Sequence, residues 1–188
     1  MRELRADFIC AGGSGGVMKE DLFGVSKKGR RATLFVDGAS RGNPGPAAIG
    51  VVLENGNHRA LKEFGRCIGE TTNNVAEYTA LVMGLEEAIR EKVGEITVYT
   101  DSELLARQLQ GRYRVREPRL LGLHEQARAL IKNFLKCGIH HIPREKNRKA
   151  DKLANQALDA VKKRVDPVIA PSPKRGEESP SSGGQRNG

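Results

Sequence analysis

Apolar and β-branched residues run together over 32–36, Ala32-Thr33-Leu34-Phe35-Val36, and stop at Asp37-Gly38, as a strand closed by turn residues does. Residues 49–53, Ile49-Gly50-Val51-Val52-Leu53, repeat the pattern. The following Glu54-Asn55-Gly56-Asn57 predicts a hairpin into a third strand over 60–68, because Asn-Gly is a strong two-residue turn signal. The spacing then lengthens. Leu81, Leu85, Ala88 and Ile89 form one stripe of a helix over 75–91. A strand over 96–100, a helix over 102–110, a long helix over 119–136, a strand over 138–142 and a last helix over 147–165 complete the pattern. Antiparallel strands first, then strands alternating with helices, predict an α/β fold: a mixed sheet with helices packed on its faces.

The flanks read differently. The first thirty or so residues hold Gly12-Gly13-Ser14-Gly15-Gly16 and Lys27-Lys28-Gly29-Arg30-Arg31, the composition of a flexible leader. Residues 166–188 are rich in Pro, Gly, Ser and charge and are expected to be a disordered tail. One domain over 31–165 remains. Lys and Arg number 32 against 23 acidic residues, a net charge of +9, which suits a polyanionic partner without distinguishing nucleic acid from an anionic membrane surface. Cys10, Cys67 and Cys137 are widely spaced and form no C-x-x-C pair, so a reducing, cytoplasmic setting is expected. No apolar run approaches the roughly 20 residues of a membrane span, and a soluble, unexported monomer is expected.

Four acidic residues occupy positions from which such a sheet allows them to converge. Asp37 closes the first strand and Asp101 follows the fourth, and strand ends are where ligand sites gather in open sheets. Glu77 lies in the first turn of its helix beside the apolar stripe. Asp151 borders the stripe of Ala150, Leu153, Ala154, Ala157, Leu158 and Val161. Hard oxygen donors arriving from separate elements suit a divalent cation and phosphodiester chemistry. Each also has an ordinary reading: Glu77 as the acidic partner of a helix cap at Asn74, Asp101 as an N-cap, Asp37 as the start of a turn, Asp151 as a solvated charge between Lys149 and Lys152.

The surrounding segments decide between these readings by resemblance. Asp37 to Gly50, DGASRGNPGPAAIG, resembles the first-strand signature of type 1 ribonucleases H. Thr71-Thr72-Asn73-Asn74-Val75-Ala76-Glu77-Tyr78, Tyr99-Thr100-Asp101-Ser102 and Asn147-Arg148-Lys149-Ala150-Asp151-Lys152-Leu153-Ala154-Asn155 follow in that family's order. The resemblance implies a five-stranded mixed sheet flanked by helices, and hydrolysis of the RNA strand of an RNA–DNA hybrid to 5′-phosphate and 3′-hydroxyl ends. It assigns Asp37, Glu77, Asp101 and Asp151 as the catalytic ligands of two Mg2+ ions, with Mn2+ as a substitute. By the same resemblance Gly38, Ser40, Asn43, Asn73 and Asn74 line the RNA strand, where the 2′-hydroxyl distinguishes it from DNA, and Thr72 meets a DNA phosphate. Capping is the competing reading for Asn73 and Asn74.

The chain departs from many relatives in two places. Arg144 and Glu145 stand just after Pro143, where relatives carry a loop histidine, and His140 and His141 are expected in the fifth strand, one facing in and one out. Residues 111–116, Gly-Arg-Tyr-Arg-Val-Arg, pass directly between helices and leave no room for the basic protrusion of some relatives. This extended basic run is the substitute candidate for phosphate contact, and a solvated loop is its alternative. A binding module without cleavage, a DNA junction nuclease and a purely structural protein are the rival functions.

Overall fold

A computed structural model describes residues 30–165; the expected leader and tail lie outside them, apart from Arg30. Five strands, β1 (Arg30–Ser40), β2 (Gly45–Asn55), β3 (Ala60–Thr71), β4 (Val93–Thr100) and β5 (Lys136–His141), form one sheet in the order β3-β2-β1-β4-β5. β1–β2 and β2–β3 pair antiparallel, β1–β4 and β4–β5 parallel. The helices are α1 (Asn73–Arg90), α2 (Glu103–Leu109), α3 (Pro118–Ile131) and α4 (Arg148–Val165), with a 3-10 turn at Arg144–Lys146. This is the mixed sheet with helices on both faces that the pattern implied.

Alternation along β1 sorts its two faces. Leu34 and Val36 are fully buried and meet α1 where Gly84 leaves room for their methyl groups. Phe35 and Asp37 point to the other face, over which α4 lies across β2, β3 and β1. The core is the α1 side of the sheet, built from Leu34, Val36, Tyr78, Leu81, Leu85, Ile96 and Val98.

Several elements differ from the sequence reading. β1 does not end at Asp37; pairing with β2 continues to Ser40↔Ala47, while pairing with β4 stops at Val36↔Thr100. Asp37 therefore lies inside a strand but one step past the point where its parallel neighbour leaves. The third helix ends at Ile131, not Lys136. Asn133 Nδ2 donates to the carbonyls of Ala129 and Leu130 at 3.3 and 3.0 Å, and Leu135 N donates to Gly94 O at 2.8 Å. Those bonds close the helix and draw the chain onto the sheet edge, so β5 begins early. Neither His140 nor His141 faces in; both are exposed. β5 is an edge strand, and the ring of His140 instead stands beside Tyr99, 5.7 Å between centroids, itself stacked on Phe35 at 5.3 Å.

Candidate active site

Two close backbone approaches assemble the acidic residues. A Cβ on Gly38 would fall 2.2 Å from the backbone nitrogen of Glu77, so only glycine lets α1 settle with Glu77 against the strand beside Asp37. Gly50 is the register partner of Asp37, and a Cβ there would fall 1.9 Å from the carbonyl oxygen of Ala150. That contact seats the first turn of α4, with Asp151, over the same point of the sheet. Asp101 follows β4 directly, one residue beyond the last β1–β4 pair.

Asp37 is 8% exposed. Burial foremost, then the charges of Asp101 and Asp151, a hydrogen bond with Asp101 and the charge of Glu77 raise its pKa to about 8. All three other carboxylates thus act on Asp37. Burial raises Glu77 to about 7; a hydrogen bond from Ser102 opposes this, the charge of Asp101 adds to it, and a bond from Asn73 opposes it again. Asn73 Nδ2 donates to Glu77 Oε1 at 2.9 Å.

Two nitrogen donors complete the cluster. Arg144 Nη2 donates to Asp151 Oδ1 at 2.5 Å, and its guanidinium is held further above its ordinary pKa by Asp151, Asp37 and Asp101. Asn147, 1% exposed, donates from Nδ2 both to Asp101 Oδ1 at 2.8 Å and to Val36 O at 2.9 Å. Sequence reasoning finds neither Arg144 as a partner of Asp151 nor Asn147 as a partner of Asp101. An arginine after Pro143 is the only local sign of the first, and Asn147 meets Val36 across 111 residues of chain.

The remaining site residues gather at the start of α1. Thr72, not an asparagine, is its N-cap and accepts from Val75 N at 3.4 Å. Asn73 N donates to Asn43 Oδ1 at 3.2 Å, tying the β1–β2 loop to the helix. Gly38 is buried under α1, Ser40 is half-buried at the end of β1, and Asn74 is half-buried in the first turn.

Among the described residues no three Asp, Glu, His or Cys side chains are turned close enough to hold a metal ion. The donor set nonetheless fits a hard divalent cation. All four donors are carboxylates, and their mutual repulsion, visible at Asp37, is what such a charge relieves. Arg144 adds a positive group to the cluster through Asp151.

The reverse transcriptase-like family profile matches residues 35–157. Over 155 residues the chain is 41% identical to a bifunctional protein of Mycobacterium tuberculosis, a match covering 82% of this chain and 43% of that protein. It therefore spans less than half the length of the mycobacterial relatives. It is 45% identical over 132 residues to ribonuclease HI of Halobacterium salinarum, covering 70% of this chain and 66% of that one. The crystal structure of ribonuclease H1 from that archaeon matches with a TM-score of 0.68 over 69% of this chain and 98% of the solved one. LC11 ribonuclease H1, solved in complex with an RNA/DNA hybrid, matches at 43% identity and a TM-score of 0.66, again over 69% and 98%.

Proposed function

The chain belongs to the ribonuclease H-like family, and from that premise we propose that it hydrolyses the RNA strand of RNA–DNA hybrids, leaving 5′-phosphate and 3′-hydroxyl ends. The observation that carries the reading is the convergence of Asp37, Glu77, Asp101 and Asp151 from β1, α1, the end of β4 and α4, seated by the close backbone approaches at Gly38 and Gly50. A pure binding surface gains nothing from concentrating negative charge beside a phosphate backbone.

In this reading Asp37, Glu77, Asp101 and Asp151 hold two divalent cations, Mg2+ or Mn2+. When bound, such ions polarise the scissile phosphate and make water nucleophilic at neutral pH. The chain's own groups do the rest. Asp37 and Glu77 give up their protons to take on ligand character. With Asp151 engaged by a cation, the exposed Arg144 would be free to meet the phosphate. Asn73, its Nδ2 committed to Glu77, turns its carbonyl oxygen to a ribose 2′-hydroxyl. Asn43, accepting from Asn73 N, keeps its own Nδ2 to donate to the RNA strand. Gly38, Ser40 and Asn74 line the same strand. Thr72 accepts the cap bond, so its hydroxyl proton is left for a DNA phosphate oxygen.

The test is cleavage of labelled hybrid, duplex DNA and duplex RNA, with Mg2+ or Mn2+, by the full chain and its Asp37→Asn variant. We expect cutting of the hybrid alone, reduced more than about a hundredfold in the variant, beyond the loss usual for groups outside the ligand shell. Cutting of duplex DNA would point to a junction nuclease, and tight binding without cutting to a binding module.

A further inference from the structure

Asn147 is an anomaly in an otherwise satisfied interior. Among the described residues its Oδ1 is the one buried side-chain polar atom with no hydrogen-bond partner, and buried polar groups are rarely left so. Both Nδ2 hydrogens are engaged, by Val36 O and by Asp101 Oδ1. Turning the amide over would aim its oxygen at a carbonyl and a carboxylate, so the two acceptors fix its orientation. Val36 is where the β1–β4 ladder ends, and it immediately precedes Asp37. The main chain of Asn147 reaches a third element: its carbonyl accepts from Asp151 N at 3.1 Å in the first turn of α4.

From these contacts we infer that Asn147 is a positioning residue for the carboxylate cluster. Its single buried amide fixes the rotamer of Asp101 and ties that carboxylate to the strand bearing Asp37, while its main-chain carbonyl starts the helix turn bearing Asp151. It touches neither substrate nor cation. It acts by removing rotational freedom from Asp101 before a cation arrives, the role that hydrogen-bonded outer partners play for metal ligands. The orphaned oxygen follows from that arrangement: a side chain chosen for two donors at this spot must carry an acceptor it cannot satisfy. The inference rests on the metal-dependent reading above.

The competing role is the ordinary one of a polar residue before a helix, and serine serves that role as well as asparagine. The experiment therefore compares the full chain with its Asn147→Ser variant by calorimetric titration with MgCl2, after circular dichroism confirms folding at the temperature used. The expected result is Mg2+ affinity weaker by tenfold or more, within the ~10–100-fold range for outer partners, with the KM for hybrid unchanged and kcat reduced at fixed Mg2+. A smaller change in affinity overturns the inference. If the wild-type chain itself binds no Mg2+, the metal-dependent reading fails instead. Should the variant not fold, the side-chain amide resonance of Asn147 in the wild-type chain is followed through the same titration. It is expected to shift with the calorimetric midpoint, and an unmoved resonance overturns the inference.

Discussion

Asp37 and Glu77 hold protons at pH values where an exposed carboxylate would long have lost them, with pKa values raised to about 8 and about 7. A carboxyl that binds its proton more tightly folded than unfolded makes stability fall with rising pH, from the unfolded pKa near 4 to the folded value. In EDTA the melting temperature should therefore decline between about pH 4 and pH 8 and level off above. Asp37→Asn removes the main titrating group and should flatten that decline, so the variant is more stable than wild type at pH 8. A wild-type profile flat across this window would contradict the charge crowding. The same cluster predicts the behaviour of Arg144, which neutralises Asp151 from an exposed position. Arg144→Ala should lower the melting temperature in EDTA and tighten Mg2+ binding by up to about fivefold, the equivalent of the 0.2–1 kcal/mol of an exposed ion pair. Calorimetry reads the second effect directly, and weaker binding in the variant would mean that the arginine assists the cation rather than standing in for it.

Two glycines decide whether the elements bearing those carboxylates can meet. Gly38→Ala and Gly50→Ala each drive a methyl group into backbone, at Glu77 and Ala150, and backbone yields less readily than a side chain. Each should cost at least the ~1–3 kcal/mol typical of overpacking, read as a lower urea midpoint. Each should also weaken Mg2+ binding, Gly38→Ala through Glu77 and Gly50→Ala through Asp151. A variant that loses stability but keeps its Mg2+ affinity would show that the helices reseat without moving the carboxylates. These elements are legible in the sequence where the cause is local. Apolar, β-branched runs and helical stripes locate every strand and α-helix, and Asp101, Glu77 and Asp151 are visible at strand ends and stripe borders. The boundaries that escape depend on distant partners: β1 runs on past Asp37 because β2 is there to pair with it, and α3 stops early because Gly94 captures Leu135. The cap at Thr72 is hidden by two adjacent asparagines with the same propensity. Asn147 reads as a plain helix start, since nothing near it in the chain announces Val36 or Asp101.

At the scale of the whole molecule, the proposed hydrolysis sets four carboxylates against a phosphate backbone that they repel. In that reading the net charge of +9 supplies the long-range attraction, and exposed basic side chains would hold the duplex in place. The segment between α2 and α3 is the candidate for that contact. Val115 is buried and pins the segment to the core, while Arg112, Arg114 and Arg116 on either side are exposed, and Tyr113 stands under Arg107 with the guanidinium 5.2 Å from the ring centre. A loop anchored at one apolar residue and fanned with arginines gives up less conformational entropy on binding than a free one. If it grips phosphates, replacing Arg112, Arg114 and Arg116 together with alanine should weaken hybrid binding at low salt and leave kcat at saturating hybrid unchanged. It should also reduce the slope of log affinity against log salt by roughly 0.9 for each phosphate that an arginine no longer neutralises, up to about 2.7 in all. Anisotropy titrations over a series of salt concentrations, with the uncut hybrid held in EDTA, measure that slope. A triple variant with the wild-type slope would make the segment a solvated loop, and the duplex would have to be held by the basic side chains of other elements.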